Sequence, residues 1–233
     1  ELQPGVASTL ERFRAAEIDI KIISGDHPET VAALVHQAGF DIGGETAVVS
    51  GIDLAGMSDG ELADAAERGT VFGRITPEQK LALVRHLQRR GHYVAMIGDG
   101  INDVLALKRA EVGIAMEEGA QATRAVADMV LLGNAFGVLP AAFREGRRIV
   151  RSLQDLLKLF LTRSLSIAVA ILGAGIVGAA FPVIPTQNAL PALLTVGIPT
   201  FMLAMWTAPD HLPGGLLRNV LPFTIPAFLT IGM

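Results

Sequence analysis

The chain has 233 residues, 51% of them hydrophobic and 18% charged, and a formal net charge of −4. So modest a negative charge excludes a general nucleic-acid binder, which would carry a basic face. The lack of cysteine excludes disulfides and thiolate metal sites within this sequence.

The averages conceal a division. Up to Arg163 the sequence is mixed and charged, as in a water-soluble domain; beyond it only Asp210 and Arg218 carry full charges. A shift this abrupt marks two environments, water and then lipid. The sequence starts at Glu1 rather than Met, shows no signal peptide and stops at Met233 inside an apolar run, so both ends read as cut.

In chain order, residues 20–24 predict a buried strand. Residues 28–38 predict a helix with Pro28 in its first turn. Residues 47–51 and 71–74 are further strands. Thr76-Pro77-Glu78-Gln79 opens the next helix: Thr76 caps, Pro77 suits the first position, and Gln79 completes a capping box. That helix runs to about residue 90, with Leu81, Val84 and Leu87 on one face. Residues 93–97, 112–115 and 128–132 are apolar strands. Strands alternating with helices imply an α/β fold with a parallel sheet covered on both faces. In such sheets the chemistry sits where strands end and loops begin.

Three features stand at such ends. Ser24-Gly25-Asp26 offers a hydroxyl and a glycine amide at a helix entrance, which suits a phosphate oxygen; most such triplets are ordinary turns. Lys80 lies just inside its helix and gains meaning only if it reaches the same pocket. Gly98-Asp99-Gly100-Ile101-Asn102-Asp103 directly follows an apolar strand. Its glycines let the backbone turn sharply, so Asp99 and Asp103 can face one cavity. Paired carboxylates beside an amide are hard oxygen ligands of the kind magnesium takes. The plainer alternative is a turn in which Asp103 caps the next helix.

S-G-D, then T-P-E-Q-K, then G-D-G-I-N-D with Ala106-Leu107-Lys108 and Val112-Gly113-Ile114-Ala115-Met116 resembles the phosphorylation domain of P-type ATPases. The resemblance runs from about Gly5 through Met205. It implies a Rossmann-like, haloacid dehalogenase-type α/β domain, ATP as substrate, Mg2+ as cofactor and a covalent aspartyl-phosphate. It further implies that Asp99 binds the metal and Asp103 supports it, that Asn102 bonds the phosphoryl group, and that Lys80 offsets phosphate charge. Ser24 and Gly25 would hold phosphate oxygens, with Asp26 near the nucleotide and Arg74 approaching ATP. Phosphoryl transfer needs such positioning and neutralisation more than further covalent chemistry. No D-K-T-G motif occurs in this sequence, so the nucleophile and the nucleotide-binding and actuator domains are expected upstream of Glu1. The isolated chain is accordingly expected to be inactive. Ser24 stands where many members carry Thr, and Glu117-Glu118 replace a more usual Gly-Ser.

The expected organisation is the C-terminal part of the phosphorylation domain at 1–143, a stalk helix at 144–158, membrane spans at 156–181 and 189–206, and the start of a third at 220–233. Arginines crowd before the first span and Arg218 follows the second, while the loop between them has no Lys or Arg. Positive-inside bias then places residues 1–155 in the cytoplasm of a multi-pass protein of the bacterial plasma membrane. Pro191 and Pro199 in the second span free backbone carbonyls, and Ser164, Ser166, Thr195 and Thr200 supply hydroxyls. By the same resemblance, the positions where calcium and sodium pumps place Asn, Glu and Asp ligands hold Ser164, Ile167, Ala192 and Val196 here, and the polar residues of these spans are open to a second role, packing of the helices. The run Leu194-Thr195-Val196-Gly197-Ile198-Pro199 resembles a bacterial CtpE-like subgroup, which makes calcium the favoured transported cation. Heavy-metal pumps usually carry cysteine motifs, which this sequence lacks. The alternatives are a membrane-anchored phosphatase of the same fold and an inactive truncated pump subunit. The five histidines form no ligand spacing and read as surface residues.

Overall fold

The computed structural model describes residues 5–40, 47–178 and 185–206, together with Pro222 and Pro226. The chain divides into two compact units, residues 1–140 and 141–233. The third apolar stretch, 220–233, and residues 179–184, which include the expected end of the first span, lie outside the described residues, apart from the two prolines.

The first unit alternates helices and short strands: α1 (Val6–Ala15), β1 (Ile22–Ile23), α2 (Pro28–Gln37), β2 (Val48–Ser50), α3 (Gly51–Gly56), α4 (Asp59–Arg68), β3 (Val71–Gly73), α5 (Pro77–Arg89), β4 (Ala95–Gly98), α6 (Val104–Arg109), β5 (Val112–Met116), α7 (Gln121–Val126) and β6 (Met129–Leu131). The strands form two parallel sheets of three, in the orders β1-β3-β2 and β4-β5-β6, rather than the single sheet expected. Ile22 pairs with Val71 and Val48 pairs with the same Val71, so β3 is the centre of its sheet. β5 is the centre of the other, taking Ala95 opposite Val112 and Ile114 opposite Met129.

Successive side chains of a strand point to opposite faces. In β3 this sends Val71 into a cluster with Val31, Val35 and Ala47, and Phe72 into another with Leu54, Ala66, Ile75 and Leu83. In the second sheet Met96 packs into a cluster with Val84, Ala106 and Leu107, and Ile114 and Leu131 into another with Leu139. α5 contributes Leu83 to the first sheet's core and Val84 to the second's, so this one helix packs on both sheets. Burial of Phe72, Leu83 and Leu107 stabilises the fold by about 1.5–3 kcal/mol per side chain.

Two expectations are corrected here. Strand β4 begins at Ala95, not at residue 93, and Tyr93 is exposed. His86 is not a surface residue: it is 6% exposed and places Nε2 3.3 Å from the Asp59 carboxylate. The spacing of histidines carries no information on this, because His86 is buried by its helix face and paired with a residue on α4.

The described part of the second unit is helical. α8 (Leu139–Val177) is a single 39-residue helix, about 58 Å long at 1.5 Å per residue, so the residues expected as stalk and those described from the expected first span form one element. Its early turns carry ion pairs between Arg148 and Glu145 and between Asp155 and both Arg151 and Lys158. Residues 136–177 are the one helical stretch long and apolar enough to cross a membrane among the described residues; a shorter apolar helix covers 189–203. That apolar stretch lies within α9 (Pro185–Ala192), a π-helical segment (Leu193–Gly197) and α10 (Ile198–Trp206). Pro191 lies inside α9 and Pro199 just inside α10, so the widened turn falls between two residues that cannot donate a helical hydrogen bond.

Candidate active site

Local sequence chemistry places each candidate side chain. β4 ends at Gly98, and the loop that follows closes on itself. The Asp103 amide donates to the Gly100 carbonyl (3.0 Å), and the Gly100 amide donates to Asp103 Oδ2 (3.2 Å). Asp103 is therefore turned inward and buried, whereas Asp99 and Asn102 are exposed. Gly98 is required by space: a Cβ there would stand 2.6 Å from Asp103 Cβ and 2.8 Å from its Oδ2.

Lys80 comes from α5, whose start the capping box fixes. The Gln79 amide donates to Thr76 Oγ1 (3.3 Å), and the Thr76 amide donates to Gln79 Oε1 (3.0 Å). One turn of helix then aims Lys80 at Asp103, with Nζ 2.5 Å from Oδ1. The two side chains are 12% and 9% exposed, so the ammonium and carboxylate neutralise each other away from bulk water.

The Ser24–Asp26 loop is tied to the same helix start. The Asp26 amide donates to Ser24 Oγ (3.1 Å), a turn closed by a side chain. The Arg74 amide donates to the Asp26 carbonyl (2.7 Å), and the Ile75 amide donates to the Ser24 carbonyl (3.1 Å). Arg74 takes a left-handed backbone, φ 54°, which costs a non-glycine residue about 1–2 kcal/mol. The two hydrogen bonds on either side hold it there. Gln79 also donates from Nε2 to the Gly51 carbonyl (2.6 Å), so β2, β3 and α5 meet at one junction.

The contacts thus gather Lys80, Gly100 and Asp103 into one group, and Ser24, Asp26 and the Arg74 backbone into another. Gly25 and the Arg74 side chain are exposed. Asp99 and Asn102 extend outward with no ion pair among the described residues. No three His, Cys, Asp or Glu side chains cluster as metal ligands among the described residues. The donor set nevertheless fits Mg2+, which takes one or two carboxylates and fills its octahedron with water and phosphate oxygens. Asp99 has a free carboxylate for that role, and Asp103 lies in the same loop.

Two contributors were not anticipated. Gly119 packs so closely beneath the loop that a Cβ would meet the Asp99 carbonyl oxygen at 2.9 Å. Thr123, fully buried, donates its hydroxyl to the Gly100 carbonyl (2.8 Å). Nothing in the local pattern around residues 119–123 signals this, because the partner lies 23 residues away.

Residues 1–111 match the family described as haloacid dehalogenase-like hydrolase. The chain is 38% identical over 243 residues to the calcium-transporting ATPase CtpE of Mycolicibacterium smegmatis, covering 99% of this chain and 30% of that protein. It is 34% identical over 238 residues to the probable cation-transporting ATPase exp7 of Streptococcus pneumoniae, with 99% and 30% covered. Among solved structures it is similar to the catalytic domain of the CPx-ATPase CopB-B, at 26% identity and a TM-score of 0.46, covering 60% of this chain and 44% of that one. The chain spans about 30% of the length of the curated relatives named here. The parallel α/β unit and the loop that follows β4 agree with the match of residues 1–111 to the haloacid dehalogenase-like family, and nearly the whole chain is similar to one stretch of ATPases named as calcium- or cation-transporting.

Proposed function

We propose that this chain carries the phosphate-handling part of an ATP-driven cation pump that works through an aspartyl-phosphate. The observation that supports this most directly is the buried Lys80–Asp103 pair beside the exposed Asp99 carboxylate, all at the end of a parallel strand. A transferring phosphoryl group spreads negative charge over its oxygens, and catalysis consists largely of holding and neutralising it. Lys80 is the fixed cation for that task. Ser24 and Gly25 offer a hydroxyl and an amide to phosphate oxygens, and Asn102 offers an amide nitrogen. Asp26 and Arg74 border the nucleotide side.

Asp99, supported by Asp103, would hold Mg2+, which would supply positive charge against the phosphate. The attacking aspartate is absent from these 233 residues, since no D-K-T-G motif occurs. The chain by itself is therefore expected to hydrolyse no ATP. The apolar helices supply a multi-pass membrane part, with residues 1–155 on the cytoplasmic side. Calcium is the favoured cation, supported by the run Leu194–Pro199 in the sequence and by relatives named as calcium-transporting ATPases.

The test is Asp99→Asn in the complete pump. Mg2+-dependent ATP turnover should fall by about a hundredfold or more, as when one electrostatic stabiliser is removed. Turnover at the unaltered rate would overturn the assignment of Asp99.

A further inference from the structure

The Gly100 carbonyl accepts two hydrogen bonds, one from the Asp103 amide at 3.0 Å and one from the Thr123 hydroxyl at 2.8 Å. The neighbouring Asp99 carbonyl accepts from the Ala120 amide at 2.7 Å. Two consecutive carbonyls of the carboxylate loop are thus held from beneath by one short segment, residues 120–123. Gly119 allows that segment to come close, since any side chain there would collide with Asp99. Thr123 has no exposed surface, so its hydroxyl has no water as an alternative partner.

The bonds run on in sequence. Thr123 holds the Gly100 carbonyl, the Gly100 amide holds Asp103 Oδ2, and Asp103 Oδ1 holds Lys80. A buried side chain therefore sits at the root of the chain of bonds that ends at Asp103 and Lys80. We infer that Thr123 is a positioning residue: its hydroxyl sets the conformation of the Asp99–Asp103 loop in which the metal-binding carboxylates are presented. This rests on the reading of that loop as a divalent-cation site.

Removing the hydroxyl while keeping the volume leaves a carbonyl lone pair without its partner in a closed space. The loop can then relax away from the geometry the metal needs, while the surrounding core stays filled. A merely structural role would change stability and leave the metal affinity of the folded protein alone.

The test uses the 233-residue chain in detergent with Mn2+ as the probe, the free ion being counted by its electron paramagnetic resonance signal. Measurements are made at a temperature where circular dichroism shows every variant folded. Wild type is expected to bind Mn2+ in a manner that Asp99→Asn abolishes. Thr123→Val should weaken binding by about three- to tenfold, the worth of one buried hydrogen bond. Thr123→Ser, which keeps the hydroxyl, should bind within about twofold of wild type. Equal affinity for Thr123→Val and wild type would overturn the inference and leave the site intact. Equal weakening by Val and Ser would also overturn it, by assigning the effect to packing of the methyl group. Absence of any Asp99-dependent Mn2+ binding in wild type would remove the cation site, and the inference with it.

Discussion

Lys80 Nζ lies 2.5 Å from Asp103 Oδ1, and neither side chain is more than an eighth exposed. A charge pair so placed has given up most of its hydration, and its attraction offsets that loss only while both partners are present. Lys80→Met should therefore destabilise the first unit by about 3 kcal/mol, because the Asp103 carboxylate remains buried without its counter-charge. Urea unfolding followed by circular dichroism measures this. The double variant Lys80→Met, Asp103→Leu should recover most of the loss, since it removes the stranded charge. A loss under about 1 kcal/mol for the single variant would show that the pair behaves as a solvated surface bridge.

Gly98→Ala tests the space beneath the same carboxylate. The new methyl would stand 2.6 Å from Asp103 Cβ, well inside contact distance, and Asp103 would have to rotate or the strand end would have to shift. Overpacking of this kind typically costs about 1–3 kcal/mol. The expected result is a moderate fall in stability together with loss of Mn2+ binding by the chain. Retention of wild-type metal binding would show that the loop tolerates displacement of Asp103.

The parts of this site that were legible in the sequence are those determined locally. Thr76 and Gln79 announce a helix start because capping is settled within four residues, and the capping box forms as expected. Gly98 to Asp103 is legible because glycines, carboxylates and an amide follow an apolar strand without interruption. Thr123 is not legible in that way. It sits in a six-residue helix and acquires its role only when residues 119–123 pack under residues 99–100. His86 is hidden similarly, since its partner Asp59 lies on another helix. The division into two sheets was also out of reach, because the apolar runs of β1 and β4 identify strands without saying which neighbours each will have. In α8 the change from arginine-rich to apolar sequence suggests two elements, yet the backbone stays helical throughout, as nothing near residues 156–158 breaks it.

Acid should weaken the first unit through carboxylates outside the site. In Glu111, burial raises the pKa, but hydrogen bonds from Gln88 and from the Val94 amide outweigh it, and the net shift is downward. In Glu61, the Ser58 amide and then the Ser58 hydroxyl lower the pKa at the start of α4. With the folded value below the unfolded one, the unfolded chain takes up protons first. The stabilisation is then complete above the ordinary glutamate value of about 4.3 and is lost as pH falls through the lowered folded values. The pair variant Glu61→Gln, Glu111→Gln should be less stable than wild type at neutral pH, with the difference shrinking as pH approaches about 3. Thermal unfolding over that range tests the sign: a gap that widens on acidification would contradict it.

Within the second unit, Arg163 Nη1 donates to Thr195 Oγ1 (2.9 Å), and that hydroxyl donates in turn to the Pro191 carbonyl (2.6 Å). Farther along, Arg148 Nη2 donates to the Met205 carbonyl (3.0 Å), so α8 runs antiparallel to the helix that ends at Trp206. Thr195 thus joins a guanidinium on one helix to a backbone carbonyl in the proline-broken stretch of the other. By contrast, the hydroxyls of Thr162 and Thr200 are buried without a hydrogen-bond partner among the described residues. Three threonines of similar size therefore make opposite predictions on replacement by valine. Thr195→Val should destabilise the helical unit by about 1 kcal/mol, in the range measured for hydrogen bonds between helices in a membrane. Thr162→Val and Thr200→Val should be neutral or stabilising, because each removes a polar group that has nothing to bond. Reversible unfolding in mixed detergent micelles ranks the three. An equal cost for all of them would mean that the hydroxyls matter only through packing, and Thr195 would then have no special part in holding Arg163 to the broken helix.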